Sequence, residues 1–128
     1  MGLKVTKERK QNTENNYQRI WQTVQQIPQG KVSSYGKVAD LAGLPGKARL
    51  VGKSLGKIPK SGWRGKPVPW FRVINSQGKI SFPLGGEQFE RQKQHLQAEN
   101  VVVIGNKIKL KDFEWQPDLS EILFSLEF

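Results

Sequence analysis

Ser34-Tyr35-Gly36-Lys37-Val38-Ala39-Asp40-Leu41-Ala42-Gly43, then Leu44-Pro45-Gly46, then Lys47-Ala48-Arg49-Leu50-Val51-Gly52-Lys53-Ser54-Leu55, is the stretch that decides how this chain folds. Ser34 stands where an N-cap belongs, because its hydroxyl can accept a hydrogen bond from an unpaired amide of the first turn. Tyr35, Val38, Ala39 and Ala42 keep helical spacing up to Gly43, a natural C-terminal stop. Beyond the Leu44-Pro45-Gly46 turn, Ala48, Val51 and Leu55 share one face of a second helix and leave Arg49 and Lys53 on the other. Helix, tight turn and basic helix form a helix-turn-helix outline.

Upstream, Tyr17, Ile20, Trp21, Val24 and Ile27 lay one apolar stripe along a first helix that ends at Pro28-Gln29-Gly30. Residues 1–15 are polar and are expected to form a loose arm. Downstream, residues 56–69 are rich in Gly, Pro and Lys and read as a loop. Arg72-Val73-Ile74-Asn75 and Lys79-Ile80-Ser81-Phe82 flank Ser76-Gln77-Gly78 and predict a β-hairpin. After Gly85-Gly86, residues 87–99 predict a surface helix with a thin seam of Phe89 and Leu96, ended by Asn100. Val101 to Ile104 and Lys107 to Leu110, around Gly105-Asn106, predict a second hairpin. The segment carrying Trp115-Gln116-Pro117 is expected to be irregular, so the organisation is one domain over residues 16–117 and a tail over 118–128.

The 128 residues carry 21 Lys and Arg against 11 acids, a net charge of +10, which favours a polyanionic partner, nucleic acid first. An anionic membrane would require a basic amphipathic helix, and no segment reads that way. The longest apolar run, Val101-Val102-Val103-Ile104, falls far short of the roughly 18 residues of a membrane span. No signal peptide is legible, so a cytoplasmic protein working with the DNA is expected. Cysteine is absent and His95 is the one histidine, leaving no thiol nucleophile and no conventional zinc ligand set. We therefore expect no metal, no cofactor and no catalytic group. His95 reads as a solvated side chain, and Asp40, Asp112 and Asp118 as surface ion pairs.

From its helix alone, Arg49 reads equally as a nucleic-acid contact and as a surface arginine paired with an acid. Ala48 and Gly52 fit close approach of a duplex or tight helix packing. Five blocks in order narrow this: Ser34-Tyr35-Gly36, Ala48-Arg49-Leu50-Val51-Gly52, Pro67-Val68-Pro69-Trp70-Phe71-Arg72-Val73-Ile74, Gly85-Gly86 and Glu99-Asn100-Val101. Together, from about Tyr17 to Val101, they make the chain resemble the C-terminal domain of the O6-alkylguanine-DNA alkyltransferases. Where that family has Pro-Cys-His-Arg, this chain has Pro69-Trp70-Phe71-Arg72, and tryptophan at the cysteine position is similar to the alkyltransferase-like branch. An indole has neither the low pKa nor the free lone pair that alkyl transfer requires.

The resemblance implies an α+β, mainly helical, winged helix-turn-helix domain with short β-hairpins, the first hairpin being the wing. It implies a monomer that binds O6-alkylguanine in duplex DNA without repairing it and passes the lesion to nucleotide excision repair proteins. Arg49 matches the arginine that enters through the minor groove and fills the space of a flipped nucleotide, and Tyr35 the tyrosine that crowds its phosphate. Ala48, Gly52 and Lys53 join them in the DNA-binding set. Trp70, Val73 and Leu84 are expected to line the lesion pocket, Trp70 with its ring and the others through backbone groups; the carbonyls of Trp70 and Val73 match guanine-edge acceptors. Tyr35 and Trp70 also fit plain core packing. Lys47 and Lys57 are further phosphate candidates, and Glu99 is expected to serve structure. Two departures stand out: Phe71 replaces the usual histidine, and Pro83-Leu84 replaces the family's tyrosine and serine. The alternative from another class is a transcription regulator reading an operator in the major groove.

Overall fold

The apolar stripe of the first helix organises the molecule. In the computed structural model, which describes residues 2–120, 122 and 126, with side chains from residue 13 onward, helix α1 spans Gly2–Gln25. Ile20, Trp21, Val24 and Ile27 are all buried, against α2 (Tyr35–Leu41) and α3 (Ala48–Leu55). Val38, Ala39, Ala42 and Val51 complete this helical core. The loose arm expected over residues 1–15 is corrected, because α1 begins at Gly2. No Gly or Pro interrupts residues 3–27, and Lys, Glu, Arg and Gln propagate a helix readily once its C-terminal half is packed.

Two very short strands join this core to a second one. β1 (Ser33–Ser34) pairs in parallel with β2 (Val73–Ile74), in the register Ser33 to Val73 and Ser34 to Ile74. Alternation along β2 sends Val73 into the helical core and Ile74 into a cluster with Val32, Ile80, Phe89, Leu96, Val101 and Ile108. Helix α4 (Glu87–Ala98) closes this second cluster with Phe89 and Leu96, and Asn100, at φ 66°, ends it.

The first expected hairpin is corrected. Its turn forms, with Asn75 N–H donating to the Lys79 carbonyl at 2.9 Å, but its arms part. β2 goes to β1, while Lys79 bridges Lys107 in the second hairpin. That hairpin forms as expected in shortened form, β3 (Val103–Ile104) against β4 (Lys107–Ile108), with Gly105 at φ 62° in the turn. Leu110 leaves the strand assigned to it and opens a one-turn helix, α5 (Leu110–Phe113). The segment expected to be irregular also carries order. The Trp115 amide donates to the Val32 carbonyl at 2.8 Å, Val32 donates to the Phe113 carbonyl at 2.9 Å, and Trp115 and Ile122 pack into the helical core. Residues 121, 123–125, 127 and 128 of the expected tail lie outside the described residues. Among the described residues no helix is long and apolar enough to cross a membrane.

Candidate nucleic-acid interface

The turn between α2 and α3 is fixed locally. Ser34 Oγ accepts from the Lys37 amide at 3.2 Å, the expected N-cap. Gly43 sits at φ 75°, and a Cβ there would come 2.5 Å from Arg19 Nη2, whose guanidinium also donates from Nε to the Ala42 carbonyl at 3.1 Å. The positive φ favours glycine, and a Cβ would also displace the end of the Arg19 side chain. Trp21 Nε1 donates to the Ser54 carbonyl at 2.8 Å and ties the far end of α3 to α1. The outer face of α3, with Arg49, Gly52 and Lys53 exposed, is thereby held on a rigid base.

Beside that face opens a cavity of about 700 Å³. Tyr35, the first residue of α2, and Ala48, Arg49 and Gly52 of α3 form one side. Trp70, Val73 and Phe82 form another, and Gln88, Arg91 and Gln92 of α4 the third. Six of the eight site residues expected from sequence therefore meet in one hollow. Lys53 is exposed on α3 outside the lining. Leu84, expected to act through its backbone amide, has its side chain 67% exposed and outside the lining, to which Phe82, two residues earlier, contributes. Pro83 and the turn at Gly85, φ 84°, carry the chain outward at that point.

Trp70 begins a 3₁₀ turn (Trp70–Arg72) that runs straight into β2, which fixes it at the junction of the two cores. It is half-buried, its ring meeting Phe71, Phe82 and His95 edge-on at centroid distances of 5.9, 6.5 and 5.7 Å. Edge-to-face contacts of this kind orient a ring and leave part of it free. The Trp70 carbonyl accepts from the Val73 amide, and the Val73 carbonyl from Gln92 Nε2 at 3.0 Å. Each carbonyl keeps a second lone pair. His95, read from sequence as merely solvated, is exposed but stacks on Phe71 at 4.5 Å with an 11° interplanar angle.

Gln88, Arg91 and Gln92 were missed by the sequence reading. They fall with His95 at i, i+3, i+4 and i+7, a polar stripe as regular as the apolar stripe of α1, and that spacing was the available signal. No group of three or more His, Cys, Asp or Glu among the described residues could hold a metal ion.

Residues 15–101 match the family model of the 6-O-methylguanine DNA methyltransferase DNA-binding domain. A DNA base-flipping protein of Vibrio parahaemolyticus is 55% identical over 100 residues, which are 77% of this chain and 93% of that protein. Alkyltransferase-like protein 1 of Schizosaccharomyces pombe is 39% identical over 109 residues, 79% of this chain and 94% of the relative. The S. pombe protein bound to damaged DNA containing O6-carboxymethylguanine superimposes with a TM-score of 0.71 at 36% identity, covering 81% of this chain and 97% of that one.

The chain belongs to the alkyltransferase-like proteins.

Its likeness to an O6-methylguanine methyltransferase of Mycobacterium tuberculosis is looser, with a TM-score of 0.52, 36% identity and coverage of 65% of this chain and 47% of that one. In this alkyltransferase-like protein the acid at position 99 holds the two cores together. Glu99 accepts from Arg72 Nε at 2.9 Å and Nη2 at 2.5 Å, and from the Gly30 amide at 3.0 Å, while Arg72 Nη1 donates to the Ile27 carbonyl at 2.8 Å. Burial pushes the Glu99 carboxyl up, but the Arg72 and Gly30 hydrogen bonds and the charges of Arg72 and His95 outweigh it and leave the group below its ordinary value.

Proposed function

We propose that this chain recognises O6-alkylguanine in duplex DNA by turning the damaged nucleotide out of the helix and holding it, without moving the alkyl group. The observation that carries the reading is that Arg49 and Trp70 face one cavity from different elements. In this reading Arg49 enters the minor groove and occupies the vacated stack, where a guanidinium offsets part of the few kcal/mol that unstacking costs. Tyr35 crowds the phosphate of the departing nucleotide. Ala48 and Gly52 let the backbone of α3 come close to the duplex, Lys53 adds phosphate attraction, and Trp70 and Phe82 offer aromatic walls to the alkyl group.

Gly52 supports the same reading independently. It is exposed in mid-helix, and a Cβ there would meet only the Tyr35 ring, at 4.0 Å. Tight helix packing, the other sequence-level explanation, does not account for it. A glycine that leaves this space open fits close approach of a duplex.

Transfer chemistry has no acceptor in a chain without cysteine, and Trp70 stands at the position where the family's nucleophile would be. The protein therefore acts as a marker inside the cell, binding as a monomer and handing the site to nucleotide excision repair proteins. Its relatives, named for DNA base flipping and seen bound to damaged DNA, support this reading. A competition titration with matched duplexes, one carrying a single O6-methylguanine, tests it. Preference for the methylated duplex with no methyl gained by the protein on mass spectrometry is expected. Equal affinity, or tight binding to one undamaged sequence as an operator reader would show, overturns it.

A further inference from the structure

Beyond the end of α3 the chain builds a tight turn that packs on the helical core through Trp63. Trp63 and Lys66 exchange backbone hydrogen bonds of 2.9 and 3.1 Å around Arg64 and Gly65, whose φ angles of 53° and 75° are those of a type I′ turn. Arginine adopts that conformation only at a cost. Gly62 is equally constrained, since at φ 80° a Cβ would lie 2.0 Å from the Lys66 carbonyl oxygen. From α1, Gln25 Nε2 donates to the carbonyls of Trp63 at 2.9 Å and Lys66 at 3.1 Å. The Trp63 ring packs 6.0 Å from Trp21, whose indole nitrogen holds the Ser54 carbonyl of α3. The turn is thus clamped to the α3 end of the interface, not left loose.

What the turn presents is charge. Lys57, Lys60, Arg64 and Lys66 are all exposed, and no acid stands anywhere between Asp40 and Glu87 in the sequence. These side chains follow Arg49 and Lys53 in a stretch of sequence that is basic throughout. A fixed backbone carrying exposed cations, with the Arg64 guanidinium over the Trp63 ring at 5.4 Å, suits the sugar-phosphate chain of a duplex, whose charge repeats regularly whatever its sequence.

We infer that the 60–66 turn is a second DNA contact, a backbone clamp that grips duplex flanking the lesion and adds affinity without adding damage selectivity. It rests on the DNA-binding reading above. The test is the salt dependence of binding for the unsubstituted chain and for a Lys60→Ala/Arg64→Ala/Lys66→Ala variant, each with the O6-methylguanine duplex and its undamaged match. The variant's log–log slope is expected to be shallower by about 0.9 for each phosphate that the turn no longer neutralises. Affinity should fall by the same factor on both duplexes, and the Lys60→Arg/Arg64→Lys/Lys66→Arg variant should keep the original slope. Near-ultraviolet circular dichroism, to which the Trp21–Trp63 pair contributes, checks that the turn stays in place. An unchanged slope with the turn intact overturns the clamp, and so does a changed preference between the duplexes, which would put these residues at the lesion. An unsubstituted chain without lesion preference would rule out recognition of alkylguanine, and the slope difference would still decide the clamp.

Discussion

Gly52 lies against Tyr35 with room to spare: a Cβ built on the glycine would be 4.0 Å from the tyrosine Cε1, ordinary van der Waals distance. A helix-interior glycine costs roughly 0.5–1 kcal/mol relative to alanine, and nothing inside the chain repays it. Gly52→Ala should therefore stabilise the protein by about that amount in urea unfolding, yet weaken duplex binding in fluorescence anisotropy. A variant that is more stable and binds DNA as well as before would show that the glycine does not mark the closest approach of the duplex.

Arg49 projects from α3 with its side chain exposed, so the fold does not depend on it. Arg49→Ala should leave the melting temperature nearly unchanged. It should reduce affinity for the O6-methylguanine duplex by about tenfold or more, the equivalent of one desolvated guanidinium–ring stack. Affinity for the undamaged duplex should fall less, because an unflipped site offers that guanidinium no vacated stack. Equal losses on both duplexes would reduce Arg49 to a phosphate contact.

The Arg72–Glu99 pair joins the segment before β2 to the end of α4 and, through Gly30 and Ile27, to the end of α1. Because the folded chain holds the Glu99 carboxyl below its ordinary value of 4.5, the unfolded chain binds that proton at higher pH than the folded one. The stabilisation is fully present above about pH 4.5 and is lost as the pH falls through the lower, folded value. Glu99→Gln should cost about 1.5–3 kcal/mol at pH 7, the range for hydrogen bonds to a charged group. The gap between the two proteins in urea unfolding should narrow on acidification. A gap that does not depend on pH would mean the carboxylate charge contributes nothing.

Restoring a thiol should not restore a transferase. In Trp70→Cys the neighbouring residue is Phe71, which cannot take a proton, and Glu99 is committed to Arg72. His95 approaches the site, but its ring is stacked on Phe71. Mass spectrometry after incubation with methylated duplex should find the variant unmodified on the timescale of binding. Rapid stoichiometric methylation would show that His95, or another group, activates the sulfur.

The parts of this structure that were legible in sequence are those written in local periodicity or capping chemistry. The stripe Ile20, Trp21, Val24, Ile27 and the Ser34 cap each declare a helix or its start without reference to anything distant. The pairing of β1 with β2 was not legible. Two residues are too few to show alternation, and the partner lies some forty positions away across a crossover. The turn at Ser76-Gln77-Gly78 announced a reversal correctly but could not say that its arms would pair with Ser33–Ser34 and Lys107 instead of with each other. At the site, Arg49 and Trp70 came from matched blocks of sequence. Leu84 came from a departure, where Pro83-Leu84 replaces the family's residues, and its side chain stands exposed outside the lining. The α4 wall went unread because Gln88, Arg91 and Gln92 look like any solvated face until Trp70 and Phe82 are set opposite them.

Whether a damaged nucleotide leaves the duplex and enters the hollow between α3 and Trp70 is tested most directly by a structure of the protein bound to a duplex with one O6-methylguanine. The methyl group is expected against the Trp70 ring and the Arg49 guanidinium in the vacated stack. A lesion still paired inside the helix, with the cavity facing away from the DNA, would contradict it.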